Sequence, residues 1–358
     1  MIAGSDDLET RIYPPFFQED RAQLIAFLAS RGLGWEGDPD YTVAFLRRGR
    51  LVGAGSLSGR IVKGLAVDEG LAGEGLAARI LSELEAEAAR RGFVQPFIFT
   101  SPNNRAIFEA MGYRLVGQAP GAAMLLEKGG GIGRWCANLS ALAAGERAGR
   151  AAPAKAAALV MNCNPFTLGH LHLVRTACAA SPLVFLLVVS EEASAFPYET
   201  RLRLVREGTA GIPNLVVVPG SDYLVSRATF PTYFLKDKAG EAAVIHARLD
   251  VDIFGSRIAP ALGVTRRFVG EEPYSEVTAL YNRAMKKWLP TYGIEVVEIP
   301  RLADGSGAAV SASTVRALIR GGRLEEARAL VPETTWNYLV SEEAAPVLAR
   351  LAASQGRH

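Results

Sequence analysis

The hydrophobic pattern of the chain changes near residue 128. Before that point, one amphipathic stretch and several short apolar runs joined by Gly/Arg turns predict helices and antiparallel strands. The expected helices are Gln18 to Arg31 and Ala78 to Arg91, and the expected strands are Tyr41 to Leu46, Leu51 to Ser56, Ile61 to Val67 and Gln95 to Thr100. This pattern predicts an α+β domain over residues 1–127.

A second pattern begins at Ala156, where apolar runs of strand length alternate with helical spacing. Such alternation predicts a parallel sheet that is covered by helices on both faces. The expected strands are Ala156 to Met161, Leu183 to Val189, Leu215 to Val218, Arg266 to Val269 and Ile294 to Ile299. Residues 128–155 are rich in Gly, Ala, Arg and Pro and predict a linker around one small helix near Trp135 to Leu142.

The clearest local signal is the strand, tight loop and helix of Ala156 to Cys178. In such a unit the free N–H groups and positive dipole end of the helix face the carboxyl edge of the sheet, where a triphosphate can bind. Thr167 can cap the helix or donate a hydrogen bond, and Gly169 lets the backbone approach a phosphate closely. His170 can place a donor beside a phosphoryl oxygen.

These residues resemble a known signature. The run Asn164-Pro165-Phe166-Thr167-Leu168-Gly169-His170 is similar to the TxGH motif of the nucleotidylyltransferase superfamily. The second motif of that superfamily, ISxST followed by an arginine, resembles Val310-Ser311-Ala312-Ser313-Thr314-Val315-Arg316. Capping of a helix needs one of these hydroxyls rather than three, and both residue types bind phosphate. We therefore expect triphosphate binding there.

A narrower resemblance covers nearly the whole chain. The runs NPFTLGH, ATFPTYFLKD (Ala228 to Asp237), FVGEEP (Phe268 to Pro273) and VTALYN (Val277 to Asn282) resemble the citrate (pro-3S)-lyase ligase family, also called citrate lyase synthetase. The resemblance implies attack of acetate on the α-phosphorus of ATP, with Mg²⁺, to give acetyl-AMP. It further implies acetyl transfer to the thiol of the CoA-like prosthetic group on the acyl carrier subunit of citrate lyase, which activates that enzyme.

The same resemblance implies roles for individual residues. His170, Thr167 and Arg316 would be catalytic, and no metal ligand on the protein is implied. The nucleotide would be bound by Asn164, Pro165, Phe166, Gly169, Gly270, Glu271, Ser311, Ser313 and Thr314. The expected fold of this part is a Rossmann-like parallel α/β nucleotidylyltransferase domain over residues 156–358.

The first domain resembles the GNAT-type N-acetyltransferases, in which a glycine-rich loop before a helix binds the pyrophosphate of coenzyme A. Gly73, Gly75 and Ala77 match that pattern, whereas Gly70 stands where the family has Gln or Arg. A later N…F…GY portion is matched by Asn103, Asn104, Phe108, Gly112 and Tyr113. The resemblance implies an acetyltransferase-like fold with a CoA-arm site at Gly73, Gly75, Asn103 and Asn104.

Composition and charge exclude several classes of partner. Lys+Arg number 39 against 37 Asp+Glu without a basic block, so we expect no nucleic-acid partner. The three cysteines lack metal-ligand spacing and suit reduced thiols. The N-terminus lacks a leader pattern and no apolar run reaches membrane-spanning length. We therefore expect a cytoplasmic protein without a membrane partner.

Three other functions stay open from the sequence. Another nucleotidylyltransferase would transfer AMP to a phosphorylated small molecule, and its pyrophosphate exchange would ignore acetate. An N-acetyltransferase with a nucleotide-sensing domain would acetylate amines without ATP. A non-catalytic assembly factor for the lyase would not need His170, Ser313 and Thr314.

Four charged residues also have two interpretations. Arg201 and Arg203 can reach phosphate or can lie on a helix surface. Asp250 and Arg248 can line an acyl pocket or can pair with each other.

Overall fold

The chain forms two compact units. The computed structural model describes residues 8–13, 18–35, 39–148, 155–191, 194–230, 240–273, 275–303, 305, 307 and 309–353. One unit comprises Met1–Val116 and Pro120–Gly131, and the other comprises Gly117–Ala119 and Ile132–His358. The predicted α/β class with two parts is confirmed. Residues 231–237 of the run ATFPTYFLKD lie outside the described residues.

The first unit is built on a seven-stranded sheet of order β1-β2-β3-β4-β5-β7-β6. Its strands are β1 (Leu8–Tyr13), β2 (Tyr41–Arg47), β3 (Arg50–Ser58), β4 (Ile61–Val67), β5 (Phe97–Thr100), β6 (Tyr113–Ala119) and β7 (Ala123–Lys128). The helices are α1 (Gln18–Ala29), α2 (Leu76–Arg90) and α3 (Arg105–Ala110). The predicted antiparallel pairing of β2, β3 and β4 is confirmed, and β4 and β5 run parallel.

Helix α2 packs on this sheet because two strand positions carry no side chain. A Cβ on Gly55 would lie 2.7 Å from Cγ2 of Ile80, and a Cβ on Gly53 would lie 2.9 Å from Cδ1 of the same residue. Ile80 and Leu84 are fully buried at this contact. The helix thus comes close to the sheet, and the glycine loop before it is placed at one end of β4.

The second unit contains the predicted parallel sheet, with the order β10-β9-β8-β11-β12. Every recorded pair in it is parallel. The strands are β8 (Ala156–Met161), β9 (Leu183–Val188), β10 (Leu215–Pro219), β11 (Val264–Gly270) and β12 (Glu295–Ile299). All residues of β9 are buried, as expected for a strand covered on both faces.

In this part of the chain one helix precedes β8 and the others follow it. They are α4 (Gly131–Ala148), α5 (Leu168–Ala180), α6 (Tyr198–Thr209), α7 (Glu241–Ile253), α8 (Ala259–Leu262), α9 (Glu276–Trp288), α10 (Ala312–Arg320), α11 (Glu333–Leu339) and α12 (Ala345–Ala353). The carboxyl ends of β8, β11 and β12 lie side by side, so the loops after them share one edge of the sheet. That edge is where ligands of such folds bind.

The structure differs from the predicted linker at α4, which is longer than the small helix expected there. Leu139 and Ala143 of α4 are buried, and Trp135 stacks on Tyr223 at 5.9 Å. These tertiary contacts stabilise the helical conformation of a segment whose glycine content alone would disfavour a helix. Within the described residues, no helix combines the length and the apolar character needed to cross a bilayer.

Candidate functional site

The start of α5 is fixed by a reciprocal cap between Thr167 and His170. The Thr167 hydroxyl accepts from the backbone N–H of His170, at 3.4 Å. In return, Nδ1 of His170 accepts from the backbone N–H of Thr167 at 3.1 Å and lies 2.9 Å from the Thr167 hydroxyl. A backbone N–H can only donate, so Nδ1 must be unprotonated. The neutral imidazole therefore carries its proton on Nε2, which makes that atom a donor.

The surroundings of His170 keep the ring neutral. Burial, followed by the charges of Arg301 and Arg316, lowers its pKa to about 4. The ring stacks on fully buried Phe166, with centroids 5.9 Å apart and an interplanar angle of 14°. Phe166 was expected to bind nucleotide, but its burial gives it a supporting role beneath the histidine. The buried ring of Phe166 thus helps to fix the orientation of the imidazole.

Gly169 is required for a contact within the protein. A Cβ on this residue would lie 2.3 Å from the carbonyl oxygen of Val310. The missing side chain thus allows a contact within the protein, and the expected approach of a phosphate to this backbone stays a prediction. The close approach joins the TxGH loop directly to the second motif.

Arg316 makes a further connection between the two motifs. It is only 4% exposed, and its Nη1 donates to the backbone carbonyl of Asn164, a residue 152 positions earlier. Burial, and then the charge of Arg320, lowers the pKa of Arg316 to about 10, which still leaves it charged near neutral pH. Arg316 therefore fixes the carbonyl before Pro165 and adds positive charge under the loop.

Asn164 itself is buried, and its Oδ1 accepts from the backbone N–H of Phe196 at 3.0 Å. The peptide bond to Pro165 is cis, and Pro165 is also buried. Both residues thus shape the loop from the protein side. Burial raises the pKa of neighbouring Cys163 to about 12, so this thiol is not a nucleophile.

Three hydroxyls cluster at the start of α10. Ser311 caps the helix by accepting from the backbone N–H of Thr314 at 3.1 Å. Its hydroxyl also lies 2.8 Å from the hydroxyls of both Ser313 and Thr314. Ser313 and Thr314 are exposed, whereas Val310 before them is buried against α5. The cluster therefore presents donors to solvent beside the TxGH loop.

The loop after β11 supplies acceptors rather than phosphate donors. The carbonyl of Gly270 accepts from the side chain of Asn282 at 2.9 Å, which explains the position of that residue on α9. The carbonyl of Glu271 accepts from Nε of Arg301 at 2.7 Å. These carbonyls thus bond within the protein, and the expected nucleotide contact of Gly270 and Glu271 stays a prediction.

Arg201 has a structural role, which answers one of the questions left by the sequence. It is fully buried, and it donates to the carbonyls of Asn162, Val189, Glu191 and Phe196 at 2.6–3.0 Å. These carbonyls belong to the segments that follow β8 and β9. Arg203 instead pairs with Glu343 at 2.6 Å. Arg201 thus fixes the carboxyl edge of the sheet from within.

Asp250 does not pair with Arg248, which lies over the ring of Trp288 at 5.0 Å. Asp250 is fully buried and accepts from three donors: the backbone N–H of Val225 and the hydroxyls of Thr229 and Tyr281. Burial raises its pKa, although these donors and Arg267 oppose the shift. Its bonds anchor the segment after β10 to α7 and α9.

The expected CoA-arm residues of the first unit lie at two loops. Gly73 and Gly75 have φ of +87° and +80°, and a Cβ on either would meet nothing within 4 Å. Asn103 and Asn104 follow β5, where the Asn104 amide donates to the Thr100 hydroxyl at 3.0 Å. The structure therefore confirms a glycine turn that opens α2, with open space around it.

Known proteins match this chain over most of its length. A family model described as the citrate lyase ligase C-terminal domain matches residues 156–339. A citrate (pro-3S)-lyase ligase of Klebsiella pneumoniae is 40% identical over 325 residues, which cover 89% of this chain and 92% of that protein. The chain belongs to the citrate lyase ligase family.

A second member of the ligase family, from Escherichia coli strain K12, is 38% identical over 89% of this chain and 90% of that protein. Solved structures match the N-terminal third. Escherichia coli ElaA is 11% identical, with a TM-score of 0.30, over 34% of this chain and 99% of that chain. An acyl-CoA N-acyltransferase of Pseudomonas aeruginosa is 13% identical, also with a TM-score of 0.30. The match covers 34% of this chain and 99% of that chain.

Sequence reasoning missed Arg301 and the structural role of Arg201. Arg301 follows β12 by two residues and lies among the loops of the carboxyl edge. Its place after a strand of a parallel sheet was the available signal, since ligand contacts come from such positions. For Arg201 the sequence offers only a helix position, which does not reveal burial.

Proposed function

We propose that this protein uses ATP to activate acetate as acetyl-AMP and then acetylates the thiol of the CoA-like prosthetic group on the acyl carrier subunit of citrate lyase. Its relatives at 38–40% identity are named as citrate lyase ligases. The acetylated lyase would be the active form, so the protein would act as an activator of that enzyme.

The observation that carries the proposal is the contact between two motifs far apart in the sequence. Gly169 lies against the carbonyl of Val310, and Arg316 donates to the carbonyl of Asn164. These contacts place the Nε2 donor of His170 and the hydroxyls of Ser313 and Thr314 at neighbouring helix starts. Two helix dipoles with donors at one sheet edge suit a triphosphate.

In the first step an acetate oxygen would form a bond to the α-phosphorus while the bond between that phosphorus and the β-bridging oxygen breaks. Pyrophosphate leaves with the electron pair, so the protein needs no nucleophile. His170 would donate from Nε2 to an α-phosphate oxygen as charge develops there. Ser313 and Thr314 would donate to the β- and γ-phosphates.

Magnesium would enter with ATP as part of the substrate. The exposed hydroxyls at the start of α10 are neutral oxygen donors that suit the phosphates of such a complex. Thr167 is 1% exposed and Arg316 is 4% exposed. We therefore propose that these two residues position the loop, and that His170 contacts the reacting phosphate.

In the second step the sulfur of the carrier's thiol would attack the acetyl carbon, and AMP would leave with the electrons of the anhydride bond. The thiol proton passes to solvent or to the leaving AMP. The buried thiol of Cys163 cannot serve as an intermediate acceptor. We propose that acetyl transfer runs directly from acetyl-AMP to the carrier.

We propose that the first unit binds the CoA-like arm. Strands β4 and β5 pair at Ile61 with Phe97 and at Val62 with Ile98, near their amino ends, and no further pair between them is recorded. Their facing edges beyond these pairs lead towards the glycine turn that opens α2. Amide groups of a pantetheine-like chain suit such strand edges.

A charge placed at the glycine turn tests this arm site. We expect Gly75→Glu to abolish acetyl transfer and to leave acetyl-AMP formation intact, because a carboxylate there repels the arm's phosphates. Gly121→Glu is the matched control, since Gly121 has a similar φ of +77° and also open space. Unchanged acetyl transfer by Gly75→Glu would contradict binding of the arm at this turn.

The whole reaction is tested with purified protein, ATP, acetate and the deacetylated carrier subunit. The proposal expects one AMP and one pyrophosphate for each thioester that mass spectrometry detects on the carrier. AMP transfer to a phosphorylated acceptor without thioester formation would favour another nucleotidylyltransferase. Thioester formation without ATP would contradict the proposed use of acetyl-AMP.

A further inference from the structure

Arg301 lies beside the start of α5, although it belongs to neither signature motif. After β12 the chain turns back on itself, because the backbone N–H of Val310 donates to the carbonyl of Leu302 at 2.9 Å. The carbonyl of Val310 in turn fills the space beside Gly169. Arg301 directly precedes Leu302, so its backbone lies next to the segment at Val310 that covers the start of α5.

Two acceptors hold the guanidinium of Arg301 in place. Nε donates to the carbonyl of Glu271 at 2.7 Å, and Nη2 lies 2.5 Å from a carboxylate oxygen of Glu272. The second oxygen of Glu272 accepts from the backbone N–H of Ser275 at 3.0 Å, at the start of α9. The Glu272 side chain is 12% exposed and that of Arg301 is 25% exposed. The acidic loop thus orients an arginine that still has surface at the sheet edge.

We propose that Arg301 is a further substrate-binding residue, whose guanidinium contacts the triphosphate of ATP, and that Glu272 is the positioning residue that orients it. The inference rests on the proposed use of ATP. A planar guanidinium matches pairs of phosphate oxygens, and a carboxylate behind it limits the side chain to one geometry. This assigns a purpose to the carboxylate of Glu272 at an edge that is proposed to receive an anion.

The electrostatics of the loop agree with this assignment. The charge of Arg301 is among the causes that lower the pKa of His170, so the two side chains interact electrostatically. A phosphate oxygen at this edge would meet two guanidinium groups beside a neutral histidine, one of them held by Glu272.

The same two strands provide a matched control. Arg266 of β11 pairs with Glu295 of β12 at 2.8 Å, near the amino ends of these strands. This exposed pair joins β11 and β12, just as the pair of Arg301 and Glu272 joins the loops that follow these two strands. If the Arg301 pair only fastened neighbouring loops, removal of either arginine would have similar effects on ATP binding.

Equilibrium binding of Mg²⁺-ATP, without acetate, tests the inference. We expect Arg301→Ala to weaken binding roughly 10- to 100-fold, the scale of one charged hydrogen-bonding group. Arg301→Lys should recover part of this loss, and Arg266→Ala should bind as the wild type does. Wild-type affinity in folded Arg301→Ala would overturn the proposal, and thermal unfolding of each variant shows that it is folded.

Glu272→Gln tests the positioning role and serves as a second variant if Arg301→Ala does not fold. It keeps the shape of the side chain but loses the charge, so we expect a smaller loss of affinity than in Arg301→Ala. The double variant should bind no more weakly than Arg301→Ala alone, because Glu272 acts through Arg301. Additive losses would overturn the positioning role.

The two proposals can fail separately. A wild-type protein that binds Mg²⁺-ATP but shows no acetate-dependent pyrophosphate exchange would contradict acetate as the acceptor, while the Arg301 comparison would stand. A wild-type protein that does not bind Mg²⁺-ATP would contradict both proposals.

Discussion

Two glycine-containing loops open helices in this protein, and they differ in how firmly they are held. The loop before α5 is capped by Thr167, covered by Val310 and tied to Arg316. The turn before α2 has Gly75 as its cap, with no side-chain capping bond and no atom within 4 Å of where its Cβ would be. One loop is braced on several sides, and the other is open.

This difference fits two kinds of task. Stabilisation of charge at a reacting phosphorus needs donors that are already in place, because their reorganisation would add to the barrier. Binding of a long flexible arm needs mainly an accessible edge and backbone N–H groups. The difference between the two loops therefore favours chemistry at α5 and arm binding at α2.

The largest effect is expected on the free energy of unfolding, when the carboxyl edge of the parallel sheet loses the buried side chain of Arg201. Arg201→Met would leave four backbone carbonyls without their buried donor, and we expect a loss of about 3–5 kcal/mol. Arg60 of the first unit is the control, since it is only partly buried and bonds to the Gln95 carbonyl at 2.9 Å. Arg60→Met should cost about 1 kcal/mol in urea unfolding. Equal losses of unfolding free energy would contradict the view that Arg201 stabilises its sheet edge more than Arg60 stabilises the first unit.

The braced loop should also be sensitive to acid. Burial lowers the pKa of His170 from 6.5 to about 4, so between these values the unfolded chain binds the proton more readily. The stability that His170 contributes is complete above pH 6.5 and is lost as the pH falls towards 4, by about 3 kcal/mol in all. Urea unfolding at pH 7 and pH 4.5 should therefore show a smaller difference in His170→Asn than in the wild type.

His172, two residues along the same helix, gives the control for this measurement. His172→Asn should keep the wild-type difference between the two pH values. If the unfolding free energy differed by the same amount between pH 7 and pH 4.5 in both variants, the capping bonds would not keep the His170 ring unprotonated.

Matched glycine substitutions test the bracing through activity. A Cβ in Gly169→Ala would collide with the Val310 carbonyl and displace the two motifs. Since misplacement by about 1 Å can cost about 10²-fold in rate, we expect a loss of that size in acetate-dependent pyrophosphate exchange. Gly75→Ala meets no neighbour, so only backbone strain arises, and the exchange should stay near the wild-type rate. Full exchange activity in Gly169→Ala would contradict the account.

The local parts of this picture could be predicted from the sequence. The strand, loop and helix of Ala156 to Cys178 follow from apolar runs and spacing, and β8, the Thr167 cap and α5 agree with them. In the first unit the pattern did not indicate β1, β6 or β7. Strands β1 and β7 pair with β2 and β5, which are distant in the sequence, whereas β6 lies beside β7, the next strand along the chain.

The arrangement of the site could not be predicted in the same way. The bond from Arg316 to Asn164 joins residues 152 positions apart, and no local periodicity encodes such a contact. The contact of Gly169 with the Val310 backbone also cannot be read from the motif. A motif therefore indicates which residues act together, whereas packing decides which of them reach the substrate.

Adenylylation of acetate at the start of α5 is tested by ATP–pyrophosphate exchange with and without acetate. We expect acetate-dependent exchange by the wild type and a fall of about 10²-fold or more in His170→Ala, the scale of one lost transition-state donor. Exchange that does not depend on acetate, or that survives in His170→Ala, would contradict it.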